Sequence, residues 1–177
     1  ELSVVIPKKP YTKAKVDEAV SQTLGDKTPE QFNKDLYDKI TKAAAEYVGK
    51  KIIDMDAEGA TNLIQRTDQA IENLGDQLVS PWLKIGEDFD IVQPTSRGSN
   101  LPDMKAILID IKHAKGSGSP ATMGMVKLVF AVNNGLQRYN VPLSAIWENR
   151  IAVDPANGYY SQRWDSLLPS ETRQSRF

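Results

Sequence analysis

The dipeptide Asn134-Gly135, set between the apolar alternations of 125–132 and 136–143, constrains this chain more than any other feature. Both central positions of a two-residue type I′ turn need φ > 0, and asparagine and glycine are the residues that tolerate it. A hairpin turning there sets Phe130 opposite Tyr139, Leu128 opposite Val141 and Val126 opposite Leu143 on one side. Lys127, Ala131, Arg138 and Asn140 then fall on the other side. A three-residue loop over 133–135 would set Phe130 against Arg138 and Leu128 against Asn140, placing polar groups on the core side. The two-residue turn is therefore expected.

Before the hairpin the apolar period is that of helices. Val16, Ala19, Val20 and Leu24 form a stripe on a helix from Tyr11 that Gly25 ends. Thr28-Pro29-Glu30-Gln31 is a capping box with proline at the first helical position, and it opens a helix expected to stop near Val48 with Gly49 as its cap. Leu63, Ile64, Thr67, Ala70, Ile71 and Leu74 give a third helix over 60–74, ended by Gly75. From Phe89 the period becomes two. A strand over 104–113 carries Ile107, Ile109 and Ile111 on one side and Ala106, Leu108, Asp110 and Lys112 on the other. Gly116-Ser-Gly-Ser-Pro120 reads as a flexible connection, and 145–153 as a last strand with Trp147, Ile151 and Val153 on one side. Helices first and strands afterwards, joined by short links, predict an α+β fold: about three N-terminal helices packed on an antiparallel meander of four to five strands. The divisions expected within a single domain are an extended arm over 1–10, a helical layer over 11–86, a sheet over 87–153 and a tail over 154–177.

With 40% hydrophobic and 25% charged residues in 177, one good core is within reach. The formal net charge of −1 argues against nucleic acid as a partner. Residues 1–90 nevertheless hold 12 Lys and Arg against 17 Asp and Glu, net −5, while residues 91–177 hold 10 against 6, net +4. That asymmetry suits head-to-tail association of copies and docking within one chain equally, and does not discriminate between them. No apolar run approaches the roughly 18 residues of a membrane span, so the chain as given is read as soluble. Without cysteine there is no disulfide framework, thiolate nucleophile or Cys-based zinc site. A start at Glu1 instead of Met is read as processing or trimming, which fits an extracytoplasmic or virion setting.

Few residues suggest chemistry. Asp54, Asp56, Glu58 and Gly59 fall at positions 1, 3, 5 and 6 of a calcium loop, but position 12 is Gln65 instead of a bidentate Glu. Capping of the next helix by Asp54 or Asp56 is the favoured reading. His113 is the chain's one histidine and is read as a core-edge or loop residue; Asp110 and several serines could join it on paper, without an elbow motif. Glu148 and Arg150 are read as a surface pair on one strand side. No catalytic residue, metal ligand set or cofactor is assigned. The tail combines Tyr159, Tyr160, Trp164, Leu167, Leu168 and Phe177, more apolar area than a solvated segment usually exposes, and these six are the expected protein-contact residues.

The function expected from these features is that of a non-catalytic structural or assembly subunit, for instance in a virion or secretion component. It would form a homo-oligomer or dock on other protein subunits through its terminal segments. The alternative is a small-molecule-binding cone of helices over a curved sheet, with or without enzymatic activity, its pocket lined by Trp147, Tyr139 and His113.

Overall fold

The computed structural model describes residues 4–7, 9–94, 100–114, 118–133, 135–146 and 148–153. Threonine caps set the first two helices. Thr12 accepts a hydrogen bond from the Lys15 amide at the head of α1 (Lys13–Leu24), and Gly25 closes it at φ 58°. Thr28 and Gln31 form the expected reciprocal box at the head of α2 (Pro29–Lys51). This helix runs through Gly49, with Lys50 and Lys51 in its last turn against the negative end of the dipole. A 3₁₀ turn (Ile52–Asp54) leads to α3 (Ala57–Leu78), which starts on the Asp56 carboxylate accepting from the Gly59 amide at 2.7 Å.

Gly75 does not end α3. A Cβ there would stand 3.3 Å from Cε1 of Tyr37, so the glycine marks where α3 passes closely over α2. Ile64, expected on the buried stripe, is 42% exposed, and the stripe is Leu63, Thr67, Leu74 and Leu78. Buried Asn33 fastens the end of the helical layer: its Nδ2 donates to the carbonyls of Leu78 and Leu83 at 3.1 and 2.6 Å.

Five strands follow: β1 (Asp88–Pro94), β2 (Asn100–His113), β3 (Met125–Val132), β4 (Gly135–Pro142) and β5 (Arg150–Ala152). Their order is β4-β3-β2-β1-β5. The first four form the antiparallel meander, and the fold is α+β as the period change predicts. β5 departs from that meander by lying parallel to β1 on the far edge. Glu148 and Asn149 precede it at φ 50° and 58°, and Asn149 turns the chain by donating from Nδ2 to the Trp82 carbonyl at 2.9 Å and accepting from the Asp90 amide.

The hairpin turns two positions off the expected register. Val132 pairs with Gly135 and Leu128 with Tyr139, so Gly135, at φ 152°, opens β4 instead of sitting in the turn, while Asn134 lies outside the described residues. A shift of two leaves every side chain on its expected side. Tyr139 still meets Phe130, now diagonally, with ring centroids 6.1 Å apart, and Phe89 packs on Phe130 edge-to-face at 5.3 Å.

A bulge at Ile109 changes β2 more. Leu108 pairs with Phe130 but Asp110 pairs with Val129, so the expected alternation breaks. Leu108, Ile111 and His113 share a side with Phe130, Leu128 and Val126; Ile107, Asp110 and Lys112 share the other with Ala131, Val129 and Lys127. Both sides are covered over the middle of the sheet, since β3 is buried continuously from Leu128 to Val132. One core joins Val16 of α1, Ile40 and Ala44 of α2 and Leu74 of α3 to the sheet.

Candidate functional site

The bulge has placed a carboxylate where a strand with strict alternation would bury an apolar side chain. Asp110 is 3% exposed, the one buried Asp, Glu, Lys or Arg among the described residues. It lies at the floor of a groove of about 1180 Å³ between α2 and the sheet. Phe32, Leu36 and Lys39, at i, i+4 and i+7, present one side of α2 to this groove. Asp110, Val129 and Arg138, paired in register across β2, β3 and β4, form the opposite wall. The N-terminal arm borders it too: the Val5 amide donates to Thr23 Oγ1 at 2.8 Å, and Val4 and Ile6 line the rim. In the described residues this arm therefore folds back on its own chain.

The electrostatics of the groove are uneven. Burial pushes the Asp110 carboxyl above its ordinary value, opposed by Lys112, whose Nζ is 3.7 Å away, by a hydrogen bond from the Ile111 amide and by the charge of Lys39. Desolvation outweighs these because Lys112 is itself mostly solvated. Lys27 pairs with Asp35, and Asp38 with Lys34 at 3.9 Å. Lys39 and Arg138 are exposed and, among the described residues, form no ion pair.

His113 ends β2 at the groove's rim, as expected for a core-edge histidine. Burial lowers its pKa, and Nε2, shut away from solvent, has no hydrogen-bond partner among the described residues. It faces the opposite side of β2 from Asp110, so the pair is not a relay. Tyr139 does not line this groove; it packs at the core edge on Phe130, and burial raises its pKa. Trp147, the third residue of the expected pocket, lies outside the described residues, as do Tyr159, Tyr160, Trp164, Leu167, Leu168 and Phe177.

The remaining candidates resolve into structure. Asp56 is a helix cap, and Glu58, Gly59 and Gln65 lie within α3, where they cannot wrap a cation as a loop would. Glu148 sits in the left-handed turn, and Arg150 reaches Asp103 at 3.2 Å instead. Gly118 of the expected flexible connection is buried at φ 133°, and a Cβ there would meet the Ala43 carbonyl at 3.2 Å and Tyr47 Cβ at 3.3 Å, so this glycine sits tight against α2, while Gly116 and Ser117 lie outside the described residues. A second hollow, about 630 Å³ beside α1, carries its own charge partners: Lys13 with Asp88 at 3.6 Å and Lys105 with Asp90.

One signal for the groove was present in the sequence: an aspartate in the middle of the apolar run Ile107–Ile111 is costly unless it is used. Lys39 and Arg138 carry no such signal, because only the tertiary fold brings residues of α2 and β4 to one groove. No family model matches the chain, and no curated protein or solved structure shows a significant match to it.

Proposed function

We propose that this protein is a binding module that takes a small molecule into the groove between α2 and the sheet. The observation that carries this reading is Asp110, a carboxylate buried in the floor of an open groove with desolvation dominating its environment. Such a group costs stability, and a cleft is where that cost has a use. Binding is preferred to turnover because Asp110 and His113, the buried acid and the histidine of β2, point to opposite sides of the strand.

The probe for this reading is 1-anilinonaphthalene-8-sulfonate, titrated into isotope-labelled protein and followed by amide chemical shifts. Saturable shifts confined to Leu36, Lys39, Ile111 and Val129 are the expected result. Shifts spread over the exposed apolar residues Ile53, Met55 and Val79 instead, or none at all, overturn it.

A second reading, assembly with copies of itself or with other protein subunits, draws on a different observation. Ile53 is 78% exposed and Met55 40%, both at the corner between α2 and α3, with Ile64 farther along α3 at 42%. Exposed apolar side chains of this size mark a contact surface more often when several belong to one region. Under this reading the terminal segments reach the neighbour, and analytical ultracentrifugation is the measurement.

A further inference from the structure

We infer that the ligand of the α2–sheet groove is a small organic anion, its acidic head held between Lys39 and Arg138 and its apolar body laid on Phe32, Leu36 and Val129. The inference rests on the groove being a ligand site and adds the chemical class.

The pairing of charges around the groove decides the sign. Asp35 is taken by Lys27, Asp38 by Lys34 and Asp110 by Lys112. The two cations left without an ion-pair partner among the described residues, Lys39 and Arg138, stand on opposite walls, one on α2 and one on β4. A cationic ligand drawn to Asp110 would meet Lys39, Lys112 and Arg138 around it and be repelled. An inorganic anion would satisfy the two cations but leave the 50% exposed Ile6 at the rim in water and make no use of the apolar lining, of which Phe32, Leu36 and Val129 are already buried and offer a ligand only their groove-facing edges.

The dimensions agree. Asp110, Val129 and Arg138 sit in register on three adjacent strands, each about 4.8 Å from the next, so the carboxyl and the guanidinium begin about 10 Å apart. A head bound at Arg138 leaves room for a hydroxyl or amide N–H on the body to donate to the Asp110 carboxylate. Arginine suits a carboxylate head because its planar fork can bind both oxygens.

The test uses the full chain and four probes in parallel titrations followed by amide shifts: octanoate, octan-1-ol, octylammonium and inorganic phosphate. Octanoate is expected to bind at the groove amides roughly tenfold more tightly than octan-1-ol, equivalent to about 1.4 kcal/mol. Its affinity should fall as salt rises. Lys39→Gln and Arg138→Gln should each weaken octanoate several-fold without changing octan-1-ol, while Lys42→Gln, an exposed lysine of α2 outside the groove lining, should change neither. All three side chains are exposed, so the variants are expected to fold. If octan-1-ol or octylammonium binds the groove as well as octanoate, the anionic class is overturned while the ligand site stands. If phosphate binds as well as octanoate, the organic body is overturned. If none of the four moves the groove amides, the ligand site falls as well.

Discussion

Asp110 is the residue at which stability and use pull in opposite directions. Its carboxyl has a raised pKa in the folded protein because burial disfavours the charged form. In the unfolded chain it titrates near the ordinary value of about 3.9. Between that value and the raised native one the folded state holds the extra proton, so stability falls as pH rises through the window and is level above it. Asp110→Asn removes this dependence while keeping the shape of the side chain. We expect the variant to melt above the wild type at pH 7, with the gap closing as pH is lowered toward 4, by thermal melts across that range. A variant that melts lower at pH 7 would mean that the Lys112 contact and the Ile111 amide bond outweigh desolvation. The same substitution should weaken a ligand that donates to the carboxylate, which is the trade between stability and function expected at a site.

At the scale of elements, glycines separate what local sequence decides from what packing decides. Gly135 opens β4 at φ 152°, a region that side-chain-bearing residues avoid, and a Cβ there would approach only the Lys9 side chain, at 3.8 Å. Gly135→Ala should therefore cost about 1–3 kcal/mol through the backbone alone, read from urea unfolding. A cost that vanishes when Lys9 is also truncated would point to steric contact instead. The hairpin's sides were legible because the pleat has a period of two and survives a two-residue shift in register; the pairing itself was not, since the letters Asn133-Asn134 read as a two-residue turn as readily as Asn134-Gly135 do. Thr28 with Gln31 fixed the start of α2 from four letters, because a cap is a local hydrogen-bond problem. Gly49 and Gly75 misled for the opposite reason. Both read as helix ends, yet the helices run through them, and Gly75 answers to Tyr37 of another helix. The bulge at Ile109, the parallel placement of β5 and the groove itself are likewise products of contacts far apart in sequence, which no local period records.

For the molecule as a whole, the question is what holds copies together if they associate. The described core closes by residue 153: Val153 is fully buried, and its amide donates to the Val92 carbonyl at 3.0 Å, extending the pairing of β5 with β1. A chain ending at Val153 keeps every residue of that core, so it should still melt cooperatively with native far-UV circular dichroism. Residues 154–177 contain three Arg against two Asp and one Glu and are neutral as a group, so removing them leaves the −5 of residues 1–90 and the +4 of the remainder intact. Truncation therefore separates two sources of association that the full chain combines. If Tyr159, Tyr160, Trp164, Leu167, Leu168 and Phe177 hold the assembly, the truncated protein should sediment as a smaller species at every salt concentration, because apolar contacts are not screened. If the opposed charges of the two regions hold it, the truncated protein should keep the full-length mass at low salt and lose it near 1 M, where the screening length is about 3 Å. A full-length protein that remains monomeric at high micromolar concentration would remove the assembly reading altogether and leave the groove between α2 and the sheet to carry the function.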